Sequence, residues 1–421
     1  MPRPRLPHGI AMIVVPTPHV ATRALNGLLG LLPRASLSPA GLIDHARRRT
    51  GLTDFGPEGP YEDGLTVLCR ALEEEAALTP LGRVLARQML VQALACQLHL
   101  QDWLRREPAI LQAPIERPVV IVGMPRTGTT ILHELLALDP TNRCPLTWEV
   151  AHPFPPPESA SHASDPRIAR HARELRLSEF LMPGVQNMHR MGAALPQECV
   201  AITAQVFVSM QYNTIFRVPS YTRWLEHDAD HVRSYRYHRR FLQYLQWRHR
   251  RERWVLKSPA HLWTLEALLE VYPDARLVQT HRDPLRIVSS LASMLPTLRR
   301  AYSDAADPQT VAREWSRNCA SALDASVASR RAGAIRPGQV CDIQFREFMR
   351  DPVGEVRRLY AQFDIPFGAD IEAAMRRYLA DNPATKHGGH SHRFSDTGLD
   401  REQERRKVAD YQAFFDVASE D

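Results

Sequence analysis

Apolar residues recur at helical spacing through Leu81, Val84, Leu85, Met89, Leu90, Ala93 and Leu94, directly after Thr79-Pro80. A threonine followed by proline is a helix start, because it pairs a side-chain cap with a residue that needs no N–H donor. The pattern predicts a helical region over 61–113, behind a Pro-, Gly- and turn-rich start at 1–60. At residue 118 the pattern changes. Pro118-Val119-Val120-Ile121-Val122-Gly123 is a short β-branched run without alternation, as in a strand buried on both faces. Trp254-Val255-Leu256, Arg276 to Thr280 and Gln339 to Ile343 predict three further strands. Helices are predicted near 128–138, 166–181, 196–209, 220–248, 261–271, 284–295 and 399–415, with a proline-rich loop at 153–157. Strands alternating with helices predict an α/β fold, a parallel sheet flanked by helices and carrying helical insertions. The expected division is a helical N-terminal region at 1–113, a catalytic domain at 117–380 and a C-terminal loop and helix at 381–421.

Composition narrows the class. A 421-residue chain with 44% hydrophobic and 24% charged residues has the make-up of an ordinary soluble globular protein. Its six cysteines form no CxxC pair, which speaks against a zinc ribbon or a thioredoxin motif. The run from Cys199 to Phe216 lacks charge and proline and just reaches spanning length. Its Thr203, Gln205, Ser209, Gln211, Asn213 and Thr214 point instead to a buried segment, and no integral membrane segment is expected. The apolar run at 10–15 is short for a secretory segment and is followed by Pro16 and Pro18, so a cytoplasmic chain with reduced thiols is expected. Only three of its 53 basic residues are lysines: Lys257, Lys386 and Lys407. Against that bias a lysine can mark a need for a compact ammonium that arginine cannot imitate. The net charge of +6 suggests an anionic ligand. The basic residues are dispersed, without the aromatic interleaving of a nucleic-acid groove.

The strongest local signal is Gly123-Met124-Pro125-Arg126-Thr127-Gly128-Thr129-Thr130, between a strand and a helix. Such a loop aims backbone N–H groups and a helix N-terminus at a phosphate. The two glycines have P-loop spacing, but Thr129 stands where the P-loop lysine belongs and the cation comes earlier, as Arg126. No strand ends in a convincing metal-holding carboxylate. The loop therefore suits a phosphate-bearing ligand better than ATP hydrolysis.

Pro125-Arg126-Thr127-Gly128-Thr129-Thr130 resembles the 5′-phosphosulfate loop of sulfotransferases that use 3′-phosphoadenosine 5′-phosphosulfate (PAPS). His281-Arg282-Asp283-Pro284 through Ser290 resembles the family's 3′-phosphate motif, with Arg282 and Ser290 eight residues apart. Lys257-Ser258-Pro259 resembles the segment that supplies a lysine to the sulfuryl group in bacterial and tyrosylprotein members. Gln344 to Pro352 resembles a downstream segment in which Phe345 would stand against adenine. The resemblance spans roughly 117–368. It implies nucleotide contacts from Arg126, Thr127, Gly128, Thr129, Thr130, Arg282, Ser290 and Phe345, and catalytic roles for Arg126 and Lys257. The base that takes the acceptor's proton is left open between Glu149, just beyond the loop helix, and His261, with Glu198 as a third candidate. Lys386-His387-Gly388 or Arg393 would replace the family's C-terminal phosphate segment. His387, His390 and His392 lie in a Gly/His/Ser loop, and no metal is expected.

The expected activity is transfer of a sulfuryl group from PAPS to the hydroxyl of a small apolar metabolite or lipid, in a bacterial-type sulfotransferase. Leu181-Met182-Pro183, Met188, Met191, Phe207, Tyr212 and Phe216 could line an acceptor site or belong to the core. A small-molecule kinase on a P-loop-like scaffold and a non-catalytic nucleotide-binding protein are the alternatives. The oligomeric state is not legible.

Overall fold

The computed structural model describes residues 19–181, 192–383 and 393–420. Five strands, β1 (Val119–Val122), β2 (Asn142–Arg143), β3 (Arg253–Lys257), β4 (Arg276–His281) and β5 (Val340–Gln344), form one parallel sheet in the order β2-β3-β1-β4-β5. Ile121 lies opposite Lys257 on one side and Val278 on the other. The two faces of β1 feed two apolar clusters. Val119 and Ile121 pack with Leu132, Leu135, Val356 and Leu359. Val120 and Val122 join a larger cluster containing Leu65, Leu90, Leu94, Phe241 and Trp315. Burial on both faces is the reason the strand sequence is apolar without alternation. The same larger cluster draws the N-terminal helices and the sheet into one core.

The helices at Thr129–Ala137 and Pro166–Leu181 match the sequence pattern. Others differ for local reasons. The turn-rich start contains helices at Val20–Leu29 and Pro39–Thr50, the second opening on Pro39 and closing on left-handed Gly51. Pro and Gly there mark helix ends rather than loops. The 61–113 region is two main helices, Glu62–Glu74 and Pro80–Arg106. The 220–248 stretch breaks into Pro219–His227 and His231–Gln246, because Asp230 caps the second helix through Arg233 N. The expected 196–209 helix is interrupted at Phe207, whose φ is 60°. The C-terminal segment forms two short helices, Arg401–Lys407 and Ala409–Phe414. A long helix at Pro308–Arg331 was not expected, although Asp307 and Pro308 supply its cap and first residue. Among the described residues, no helix is long and apolar enough to cross a membrane. Phe207, Tyr212 and Phe216 are core residues. Met182, Pro183, Met188 and Met191, and Lys386, His387, Gly388, His390 and His392, lie outside the described residues.

Candidate active site

Arg126 follows β1, Lys257 ends β3, Arg282 follows β4 and Phe345 follows β5. All four motifs therefore open at the carboxyl edge of one parallel sheet, the edge where open α/β sheets bind ligands. The sequence scatters them over 220 positions, and parallel pairing of β3, β1, β4 and β5 sets them side by side.

The loop after β1 is built for close backbone approach. A Cβ at Gly123 would collide with the Thr280 hydroxyl, and Gly128 adopts φ 89° against Phe345 and Phe348. Arg126 itself has φ 72°, a conformation that non-glycine residues rarely hold without a functional reason. The Thr127 hydroxyl turns inward, donating to Met124 O at 2.6 Å and lying 2.6 Å from Thr280 Oγ1. Thr127 thus fastens the loop to β4. Gly128 caps the helix that Thr129 and Thr130 open, and the first N–H groups of a helix have no intrahelical acceptor.

Arg126 Nε donates to Ser290 Oγ at 3.0 Å, and Arg282 donates to the Arg126 carbonyl at 2.9 Å. Burial and the nearby Arg282 charge both lower the pKa of Arg126. Two guanidinium groups held this close favour an anion between them. In this structure Arg282 meets Glu420, whose two carboxylate oxygens accept from its Nε and Nη2 at 2.9–3.3 Å. The Glu420 N–H donates to Asp283, which also pairs with Arg405 at 2.6 and 3.0 Å. Phe345 stacks on Arg282, with the guanidinium carbon 3.9 Å from the ring centre. One face of the Phe345 ring therefore carries Arg282. Arg393 starts the C-terminal segment, and its backbone N–H donates to Asp396 at 3.1 Å.

Lys257 is 3% exposed and its ammonium bonds the Glu198 carboxylate. His133, on the loop helix, is buried beside this pair. Burial first, then the Lys257 charge, pushes its pKa down to about 3, so the ring stays neutral. His261 is 2% exposed, and its Nδ1 lies 2.7 Å from Tyr235 Oη. Tyr235 Oη is also 2.8 Å from Thr264 Oγ1, which donates to Ala260 O at 3.3 Å. Either hydroxyl can donate in the Tyr235–Thr264 contact, and Tyr235 occupies Nδ1 of His261. The other ring nitrogen, Nε2, is buried and has no hydrogen-bond partner among the described residues. Burial pushes the His261 pKa down to about 3, while the Glu198 charge opposes that fall. His261 lines a mainly apolar cavity of about 50 Å³ with Ser258, Tyr235 and Trp263.

Glu149 is elsewhere. It is 0% exposed, and its two oxygens accept from Arg143 at 2.6 and 2.9 Å, with His162 at 3.0 Å and Leu146 N at 2.8 Å. Burial alone would raise its pKa, but Arg143 and His162 outweigh it and hold the carboxyl at about 2. Each Glu149 oxygen thus has two partners, while Glu198 pairs with Lys257 and its charge reaches His261. Sequence reasoning also passed over Tyr235, His133 and Glu420, none of which sits in a motif. One cluster away from this edge, His152, His171 and Glu174, has metal-ligand types, and Arg170 pairs with the same glutamate.

Residues 118–369 match the model of the sulfotransferase family. The chain belongs to that family and is an enzyme that transfers sulfuryl groups, which sets the kinase and non-catalytic alternatives aside. The chain is 28% identical over 294 residues to the omega-hydroxy-beta-dihydromenaquinone-9 sulfotransferase Stf3 of Mycobacterium bovis and Mycobacterium tuberculosis, covering 63% of this chain and 67% of the relative. Its structure is similar to sulfotransferase STF9 from Mycobacterium avium, at 30% identity and TM-score 0.83, over 92% of this chain and 99% of that one. It is also similar to STF1 from Mycobacterium tuberculosis, at 30% identity and TM-score 0.79, over 90% and 99%.

Proposed function

We propose that this sulfotransferase takes its sulfuryl group from PAPS and delivers it to the hydroxyl of a lipid-like acceptor. The observation that carries the nucleotide reading is the Arg126–Ser290 contact at 3.0 Å, which joins the 5′-phosphosulfate loop to the 3′-phosphate motif. The loop N–H groups, Thr129, Thr130 and Arg126 would hold the 5′-phosphosulfate, and Arg282 and Ser290 the 3′-phosphate. The relative named for a hydroxylated menaquinone derivative supports an apolar alcohol as acceptor.

The acceptor oxygen attacks sulfur in line as its proton passes to His261 Nε2. The new O–S bond forms while the S–O bond to the 5′-phosphate breaks, and 3′-phosphoadenosine 5′-phosphate (PAP) departs. Lys257 moves from Glu198 to the bridging oxygen, and Arg126 stabilises the charge that grows on the leaving phosphate. Glu198, released, faces the imidazolium that His261 becomes. A sulfuryl group carries less charge than a terminal phosphoryl group, so fixed cations suffice and no metal is required. The test is product analysis with PAPS and an ω-hydroxy prenylquinone in EDTA. A sulfate ester formed in step with PAP is expected; no ester, or one that requires Mg²⁺, contradicts the reading.

A further inference from the structure

The cavity beside His261 is small. At about 10–15 Å³ per water centre, its 50 Å³ accommodates a few water-sized groups, so a lipid-like acceptor must extend beyond it. A second cavity of about 360 Å³ adjoins it, and Asn213, Thr222 and Glu226 line both. Past this shared wall the lining becomes cationic, with Arg223, Arg299 and Arg317.

Of these three cations, Arg299 alone has an ion-pair partner among the described residues. Glu314 accepts from Arg217 Nε and Arg299 Nη1, each at 2.9 Å, so its charge is matched twice. Arg299 is 4% exposed, and its Nε is buried without a partner among the described residues. Arg223 and Arg317 make no hydrogen bond or ion pair among the described residues. Among the described residues, Glu226 has exposed His227 as its ion-pair partner, at 4.0 Å. Burial raises the Glu226 pKa, and the His227 and Arg317 charges oppose that rise. Two guanidinium groups without an ion-pair partner among the described residues, beside a buried unpartnered N–H of a third, suit a carboxylate, sulfate or phosphate.

We propose that this cavity is an anion subsite of the acceptor site, so that the acceptor is an amphiphile with its reactive hydroxyl at His261 and an anionic group at its far end. The inference rests on the reading of His261 as the acceptor end. Calorimetry on the full chain saturated with PAP tests it, with 12-hydroxydodecanoate and neutral 1,12-dodecanediol as probes. The hydroxy acid is expected to bind at least about tenfold tighter than the diol, as one charge-assisted contact provides. That preference should vanish in the Arg223→Gln/Arg317→Gln double variant, with diol affinity unchanged. Both arginines are exposed, so the variant should fold. Equal affinity for the two probes, a preference that survives in the variant, or no binding of either probe would overturn the subsite. PAP binding is measured separately on the same samples; its failure would sink the nucleotide reading, while the probe comparison still decides the subsite.

Discussion

Arg126 and Ser290 stand 164 positions apart and meet at 3.0 Å through Nε and Oγ. The contact joins the loop after β1 to the helix after β4, with Arg282 anchored on the Arg126 carbonyl. Arg282→Ala should therefore weaken PAP binding roughly 10- to 100-fold, the range of one charge-assisted contact. Adenosine 5′-phosphate should lose little. Calorimetry with both nucleotides checks this, and equal losses would remove Arg282 from the 3′-phosphate.

Glu420 occupies the guanidinium that the 3′-phosphate would need. A nucleotide must displace it, so Glu420→Gln should tighten PAP binding by about tenfold, the scale of one weakened charge-assisted contact. The gain should disappear when Arg282 is also alanine. An unchanged dissociation constant for the single variant would show that the carboxylate does not compete.

His261 and Glu149 separate cleanly. His261→Ala should lower kcat by about 10²–10⁴, the range for a general base, with PAP affinity kept. Tyr235→Phe, which removes the Nδ1 partner, should lower kcat less and move the pH profile. Glu149→Gln should leave kcat within a few-fold. Steady-state rates over a pH series decide, and a Glu149→Gln variant that folds but has lost turnover would reverse the assignment.

Glu149 should instead govern acid stability. Its pKa falls from 4.5 in the unfolded chain to about 2 in the fold. A depressed carboxylate pKa contributes stability that is complete above the unfolded value and is lost as pH falls from 4.5 toward 2. Glu149→Gln leaves Arg143 buried without its counter-charge, a loss of about 3–5 kcal/mol for breaking such a pair. The gap between wild type and variant in thermal unfolding should be widest near pH 7 and shrink below pH 4. A gap independent of pH would contradict the ion-pair assignment.

The sheet and its phosphate loop were legible because both leave local traces: an apolar run without alternation, and glycines at fixed offsets with Arg126 between them. The position of Glu149 just past the loop helix was legible too, but not its partner. Arg143 is six residues earlier, and their pairing depends on the irregular link at Cys144-Pro145 rather than on any helical spacing. Glu198 reaches Lys257 from an irregular segment 59 residues away, and Glu420 reaches Arg282 across 138. Contacts of that range are made by the fold and imprint no period on the chain. Tyr235 reads in sequence as one more apolar position of its helix, and only the packing of that helix against Pro259–Trp263 turns its hydroxyl to His261.

The most direct test compares PAP with ADP by calorimetry in EDTA. The two share an adenosine 5′-phosphate body and differ in where the second phosphate sits. Arg282 and Ser290, joined to the loop through Arg126, predict tight saturable binding of PAP, with ADP at least about tenfold weaker, as one lost charge-assisted contact implies. ADP binding as tight as PAP, or PAP binding that needs Mg²⁺, would contradict the assignment of this edge of the sheet to a 3′-phosphorylated nucleotide.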